Sequence, residues 1–270
     1  MIGRASVTAL CLLVSTGLQA ETLRVTDLDV DKLRVQGGVE VQVSQGDQTE
    51  LLVRGDSGDL EKRPFYTRDT TLVLGHSREH QGESFSSVKY MLTVPELSEI
   101  RLSGSGDVFV RPMEVREMLI SIEGSGDVRV FELSAGAARI SVAGSGDIKI
   151  AELRVPLLEL MVSGLGDISI GDLLVDVVEA TISGSGDIGI ETAGVKASAI
   201  EINIIGGGEV NLAPLAADVA EVNIIGSGDA RVGEVDSLEV NILGSGDVYY
   251  AGEPHLDSNV LGSGDLNRQR

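Results

Sequence analysis

The sequence predicts an all-β chain folded as a parallel β-helix or closely related β-solenoid, with coils of about 20 residues. Three observations carry that prediction. The tetrapeptide Gly-Ser-Gly-Asp, or a close variant, ends at Asp107, Asp127, Asp147, Asp167, Asp187, Glu209, Asp229, Asp247 and Asp265, at spacings of 20, 20, 20, 20, 22, 20, 18 and 18 residues. Around most of these acids, aliphatic residues lie seven and five positions before and one and three after, as in Ile120, Ile122, Val128 and Val130. All four offsets are odd, and a period of two belongs to strands rather than helices. Third, the 270 residues include 34 Gly, four Tyr, four Phe and no Trp. A core without large rings must be narrow and filled by repeated small aliphatic side chains. A propeller is excluded because a 20-residue unit cannot supply the four strands of a blade.

In chain order, residues 1–20, MIGRASVTALCLLVSTGLQA, read as a secretory signal peptide, with Arg4, an apolar stretch from Val7 to Leu18, and Ala20 before the cleavage point. The apolar stretch is shorter than the ~20 residues of a spanning helix, so no transmembrane segment is expected after cleavage. The single cysteine, Cys11, leaves with the leader, and residues 21–270 then have neither disulfide nor thiol chemistry. Residues 21–95 contain strand-like pieces, Val39-Glu40-Val41-Gln42-Val43, Glu50-Leu51-Leu52-Val53 and Thr71-Leu72-Val73-Leu74, without the marker. They are expected to form irregular coils and a cap that shields the first rung from edge pairing.

Residues 96–270 are the regular repeat, one continuous domain with 21–95. Each coil is expected to give two short strands separated by a glycine bend, the glycines continuing the inward row while serine and the acid point outward. A leucine or methionine six positions after the acid (Met113, Leu133, Leu153, Leu173) marks the turn to the next rung. The polar, cationic end Leu266-Asn267-Arg268-Gln269-Arg270 is expected to cap the rod.

The repeated Gly-Ser-Gly-Asp-[Ile/Val]-x-[Ile/Val], with Val39 to Asp47 before it, resembles the bacterial putative auto-transporter adhesin head GIN domain family over roughly residues 22–266. The resemblance implies an exported β-helical domain without an established enzymatic activity. The five residues after Asp265 are too few for a membrane-spanning barrel, so self-translocation is not expected, and the location is periplasm or cell surface.

The acids Asp107, Asp127, Asp147, Asp167, Asp187, Asp229, Asp247 and Asp265, with Glu209, should form an outward ladder. Neighbours ~4.8 Å apart repel by about 0.9 kcal/mol even at the dielectric of water. Relief can come from protonation, hydrogen bonds to the turn backbone, cations such as Arg129, Lys149 and Arg231, or a metal; the ladder is expected to be a structural turn with solvated carboxylates and no cofactor, with calcium, whose ligands are hard oxygens, as the alternative. Asn203, Asn223, Asn241 and Asn259, six positions before the acids, should form a structural amide ladder. Four positions before the acids stand Ile205, Ile225, Leu243 and Leu261, whose parity faces them outward as a contact stripe for self-association or a partner.

Other motifs carry less. His76-Ser77-Arg78-Glu79-His80 spells H-x-x-E-H, but it sits between strand-like pieces and reads as a polar loop rather than a zinc helix. Arg54-Gly55-Asp56 reads as a turn, and His255 stands in a short inter-strand turn. The net charge of −21, from 42 acids against 21 Lys and Arg, opposes binding to nucleic acid. The resulting expectation is a non-enzymatic structural or interaction module of the bacterial envelope, adhesion-like, with an envelope protein, a glycan or itself as partner. The alternatives are a calcium- or glycan-binding β-helix and a polysaccharide-active enzyme.

Overall fold

The inward residues of one coil define its cross-section. In the computed structural model, which describes residues 21–269, Val128 and Val130, Leu133 and Ala135, then Ala138, Ile140 and Val142 are all buried. The expected leader and Cys11 lie outside the described residues. Two three-residue steps, from Val130 to Leu133 and from Ala135 to Ala138, reset the alternation, and the third corner is Gly144-Ser145-Gly146. Each coil is therefore three-sided, where two strands were expected: the residue six after the acid opens a third packed side. That side is hidden from a strict period-two reading because both of its flanking corners change the parity.

Coils stack in parallel and in register, with Val128 beside Ile148, Leu133 beside Leu153 and Ile140 beside Leu160. The result is a β-solenoid of about 8 turns with coils about 20 residues apart. Changes in coil length are absorbed away from the glycine bend. The two extra residues before Glu209 enter between Leu173↔Ala193 and Val177↔Ala199, while Gly184 still faces Gly206. The first 18-residue coil loses its two residues between Leu212↔Val232 and Ala217↔Val235.

The bend is the most constrained part of the coil. The Gly124 carbonyl accepts the N–H groups of both Ser145 and Gly146, at 2.9 and 3.2 Å. The first glycine of every motif from Gly104 to Gly262 has φ between 131° and 148°. A Cβ on Gly144 would sit 2.2 Å from the Gly124 oxygen, and one on Gly146 would sit 2.0 Å from the Gly126 oxygen. Glycine is thus required by conformation and by the approach of the next coil.

The N-terminal part departs from serial stacking. The coil Lys32–Gly37 plus Glu40–Gln45 pairs on one side with Glu99–Gly104 and Asp107–Val110, and on the other with Thr71–Leu74 and Lys89–Val94. The later segment therefore lies outside the earlier one. Beyond it, Phe65–Arg68, Glu50–Gly55 and Glu21–Thr26 add antiparallel strands, and the short helix Ser57–Glu61 buries Leu60. Tyr90 pins this end: its buried hydroxyl donates to the Pro64 carbonyl at 2.8 Å and accepts from the Gly75 N–H at 3.2 Å. Burial pushes that hydroxyl's pKa up.

The other end is not capped as expected. Leu266–Arg268 continues as a strand on Val248–Tyr250 instead of folding across the rod. The register Val248↔Leu266 and a Gln269 N–H bond to the Tyr250 carbonyl hold the tail in the rung. The last long strand, His255–Gly262, has every residue exposed, with Leu256 at 39% and Val260 at 36%.

Gly144→Ala should destabilise the protein by about 3 kcal/mol or more, because strain and overpacking coincide. Ser145→Ala, at an exposed position of the same bend, should change it by less than about 0.5 kcal/mol. Urea unfolding of the two variants makes the comparison; equal midpoints would remove the bend from its governing place.

Candidate functional site

The acid ladder is held by hydrogen bonds from the turn backbone. One carboxylate oxygen of Asp127 accepts the N–H of Asp147 at 3.1 Å, Asp147 that of Asp167 at 3.2 Å, and Asp167 that of Asp187 at 2.9 Å. Asp187 does the same for Glu209, Asp229 for Asp247, and Asp247 for Asp265, at 2.8 to 2.9 Å. The pattern breaks at two steps, where the N–H groups of Asp127 and Asp229 go to the carbonyls of Gly106 and Gly208 instead. An arginine stands at each break. Arg129 lies 2.9 Å from Asp127 and 3.8 Å from Asp107, and Arg231 pairs with Glu209. Lys149 lies 3.7 Å from Asp147.

A charge-assisted bond of this kind is worth about 1.5–3 kcal/mol, more than the ~0.9 kcal/mol of repulsion between neighbours. Desolvation raises the pKa of Asp187. Among the described residues, no group of three or more His, Cys, Asp or Glu is close enough to hold a metal ion.

A second outward surface lies on the side of the coil preceding the bend. Ile205, Ile225, Leu243 and Leu261 stand in direct register, 52–61% exposed. Two residues earlier along each strand is the amide ladder: Asn223 donates to the Asn203 oxygen and Asn241 to the Asn223 oxygen, both at 3.1 Å. Two residues earlier again is a column that the marker-based reading passed over, Glu159, Glu179, Glu201, Glu221, Glu239 and Asp257, all in register. Its signal is legible as an acid eight positions before each marker from Asp167 onward. Asn203 and Asn223 each donate to the glutamate on their own strand, at 2.9 Å, and Arg139 pairs with Glu159 at 2.6 Å.

The remaining candidates are dispersed. His76 and His80 lie in an irregular segment between Thr71–Leu74 and Lys89–Val94, without a helix to bring them to one face. His76 packs edge-on to Tyr66, and Ser77 donates to the Lys62 carbonyl at 2.6 Å, so that loop is tied to the N-terminal cap. Arg54 and Gly55 end a strand and Asp56 is the N-cap of the short helix, so the tripeptide is a strand-to-helix junction rather than a turn between strands. His255 begins the exposed strand His255–Gly262 rather than occupying a turn. Lys196 bridges Asp218 and Asp236 at 2.7 and 2.8 Å, and these acids push its pKa up to about 12.

Comparison with known proteins places this geometry. The model of the family described as "Putative auto-transporter adhesin, head GIN domain" matches residues 29–195 and 189–254. The crystal structure of a putative lipid binding protein from Parabacteroides distasonis ATCC 8503 is similar at 23% identity and TM-score 0.66, covering 93% of this chain and 97% of that one. That of a putative adhesin from Parabacteroides merdae ATCC 43184 is similar at 20% identity and TM-score 0.71, with the same coverage. That of a putative adhesin from Bacteroides fragilis NCTC 9343 is similar at 18% identity and TM-score 0.53, covering 94% and 98%. At these identities the likeness is one of fold. No curated protein matches the chain.

Asp147→Ala removes the carboxylate acceptor and leaves the Asp167 N–H to the Gly146 carbonyl, the pattern seen at Asp127 and Asp229, so it should cost only about 0.5–1.5 kcal/mol, whereas Asp147→Asn keeps the side-chain acceptor and should be nearly neutral. Millimolar calcium should leave the melting temperature of residues 21–270 unchanged; a calcium-dependent rise would give the ladder a metal. Asp187→Asn should raise the melting temperature at pH 7. A carboxylate whose pKa is raised by folding gains stability as pH falls, so the advantage of the asparagine should vanish on acidification through the raised pKa.

Proposed function

The chain belongs to the auto-transporter adhesin head GIN domain family, and on that footing we propose that it is an exported, non-enzymatic interaction module of a bacterial envelope, adhesion-like in action. The single observation that carries this reading is the in-register aliphatic stripe Ile205, Ile225, Leu243 and Leu261, four large side chains each more than half exposed in consecutive rungs. The leader-like residues 1–20 support export, to the periplasm or the cell surface, and cleavage after Ala20 would release residues 21–270 as one working domain. No helix among the described residues is long and apolar enough to cross a membrane.

The partner is an envelope protein in preference to a glycan. Sugar rings stack on exposed aromatic faces, and the stripe offers only aliphatic side chains, which suit the apolar centre of a protein contact. A lipid surface, suggested by the name of the P. distasonis protein, fits less well because acids flank the stripe on both sides along the chain. Against an enzymatic role, the acids repeat too uniformly to set one acid/base pair apart, and the three histidines are spread over loop and rod end.

Expression of the full sequence in a Gram-negative host should yield an envelope protein whose N-terminus is Glu21 by mass spectrometry; a cytoplasmic product starting at Met1 would count against export. Ile225→Ser with Leu243→Ser should leave the melting temperature within a few degrees, since both side chains are half exposed, yet abolish retention of residues 21–270 on envelope fractions. Undiminished retention would remove the stripe from the function.

A further inference from the structure

The stripe's surroundings specify more than an apolar contact. Four residues before it along each strand stand Glu201, Glu221, Glu239 and Asp257, and four residues after it, round the glycine bend, stand Glu209, Asp229, Asp247 and Asp265. At ~3.3 Å per residue each acid column begins about 13 Å along the chain from the aliphatic one. Between stripe and bend acids the outward column is Gly207, Ser227, Ser245 and Ser263, so the aliphatic side chains rise above a low shelf. The asparagines on the other flank are already engaged with one another and with the glutamates. The face thus carries an apolar ridge along the rod axis with acids on both sides of it, Glu209 being paired with Arg231 and Asp229 and Asp247 each using one oxygen for a backbone N–H.

We propose that this face seats a cationic amphipathic α-helix of a partner protein, lying along the rod with its apolar stripe on Ile205, Ile225, Leu243 and Leu261 and its Lys or Arg flanks toward the two acid columns. The inference rests on the reading of the stripe as a contact surface and names the partner's chemistry. The periodicities favour a helix. Four rungs span three intervals of ~4.8 Å, about 14 Å; three turns of helix span about 16 Å, whereas three same-face steps of an extended strand span about 20 Å. A helix ~10–12 Å across fits between the acid columns, and its long basic side chains can lie over the shelf and reach them. A second copy of this chain fits worse. Packing stripe against stripe with the two rods parallel sets the glutamate column of one against the aspartate column of the other, and with the rods antiparallel it sets glutamate against glutamate. An anionic membrane surface meets the same repulsion.

The test uses residues 21–270 and three synthetic peptides: one with Leu at i, i+4, i+7 and i+11 and Lys on both flanks, one with the same Leu and Glu flanks, and one with the Lys flanks but Ser in place of Leu. Fluorescence anisotropy near physiological salt should show binding of the Leu/Lys peptide alone, with helicity gained on binding by circular dichroism. Ile225→Ser with Leu243→Ser should weaken it at least about tenfold, and Glu201→Gln, Glu221→Gln and Glu239→Gln together should weaken it and flatten its salt dependence. A control triple remote from the face, Glu61→Gln, Glu79→Gln and Glu114→Gln, should leave it unchanged. Equal binding of the Ser/Lys peptide, equal weakening by the control triple, or binding without helix formation would overturn the proposal. So would stripe-dependent dimers of the protein alone in sedimentation, which would assign the face to a second copy, or stripe-dependent flotation with phosphatidylglycerol vesicles, which would assign it to lipid. If no peptide binds while the stripe variant still loses envelope retention, the helix fails and the contact surface stands. If retention is also unaffected, the contact reading itself falls.

Discussion

The stacking of glycine on glycine at the bend governs the molecule. A carbonyl that accepts two N–H groups from the next coil needs that coil to pass directly over it, and both glycine columns exist because a Cβ at either position would strike backbone oxygen of the coil before. This fixes one point of each coil in space. Length variation is then expelled to other corners, as the 22-residue and 18-residue spacings show, and the sides adjoining the bend keep their register. Small aliphatic cores follow, since a coil closed through so tight a corner encloses little width. The glycine-rich, ring-poor composition is a consequence of this one contact.

The acid beside the bend continues the same logic. Once the first glycine carbonyl has taken its one or two donors, the N–H of the acid has either the second glycine's carbonyl or the preceding coil's carboxylate as acceptor. Six steps use the carboxylate. The steps that do not are those after Asp107 and Glu209, where Arg129 and Arg231 approach the carboxylate that would have accepted, and glutamate is also one methylene longer than the geometry suits. Aspartate is thus selected for reach, and its charge is tolerated because each bond outweighs the repulsion of one neighbour. A ladder that looks like a cation site is accounted for by backbone satisfaction.

Much of this was legible in the residues, for a physical reason. Similar rungs repeat one pattern, so the alternation around Asp127 holds for the marked coils through Asp247 and lapses at the terminal one, and the outward facing of Ile205, Ile225, Leu243 and Leu261 follows from parity alone. What escaped was whatever breaks parity or chain order. The third side needs two three-residue corners that periodicity cannot locate. The crossed placement of Thr71–Leu74 outside Lys32–Gly37 depends on antiparallel strands whose partners no local pattern names. The tail from Leu266 to Arg268 is polar enough to suggest a cap, yet it holds the strand register, and backbone pairing prevails over composition. The glutamate column stands outside the marker tetrapeptide, eight positions before it, so the marker itself does not reveal it.

The outward columns are where a rod of this kind can acquire specificity, because the core leaves them free. At the coil of Glu209 the outward residues change together, from Thr181 to Asn203 and from Ser183 to Ile205, while the inward partners Ile182 and Ile204 stay equivalent. The bend glycines and the core keep their register through that coil, while its acid becomes Glu209 and the carboxylate ladder is interrupted at the next step. A single exposed aliphatic residue is ordinary. Four in one column, each about half exposed, leave roughly 1 kcal/mol of burial unrealised apiece. That adhesive potential lies in one line, opposite no covering segment of the described residues, and between charges that repel the chain's own copies. On the proposed reading, a surface whose apolar part invites association and whose charged part refuses self would select for a partner of opposite sign, and the acidity of the chain would act as a filter on what the stripe can hold.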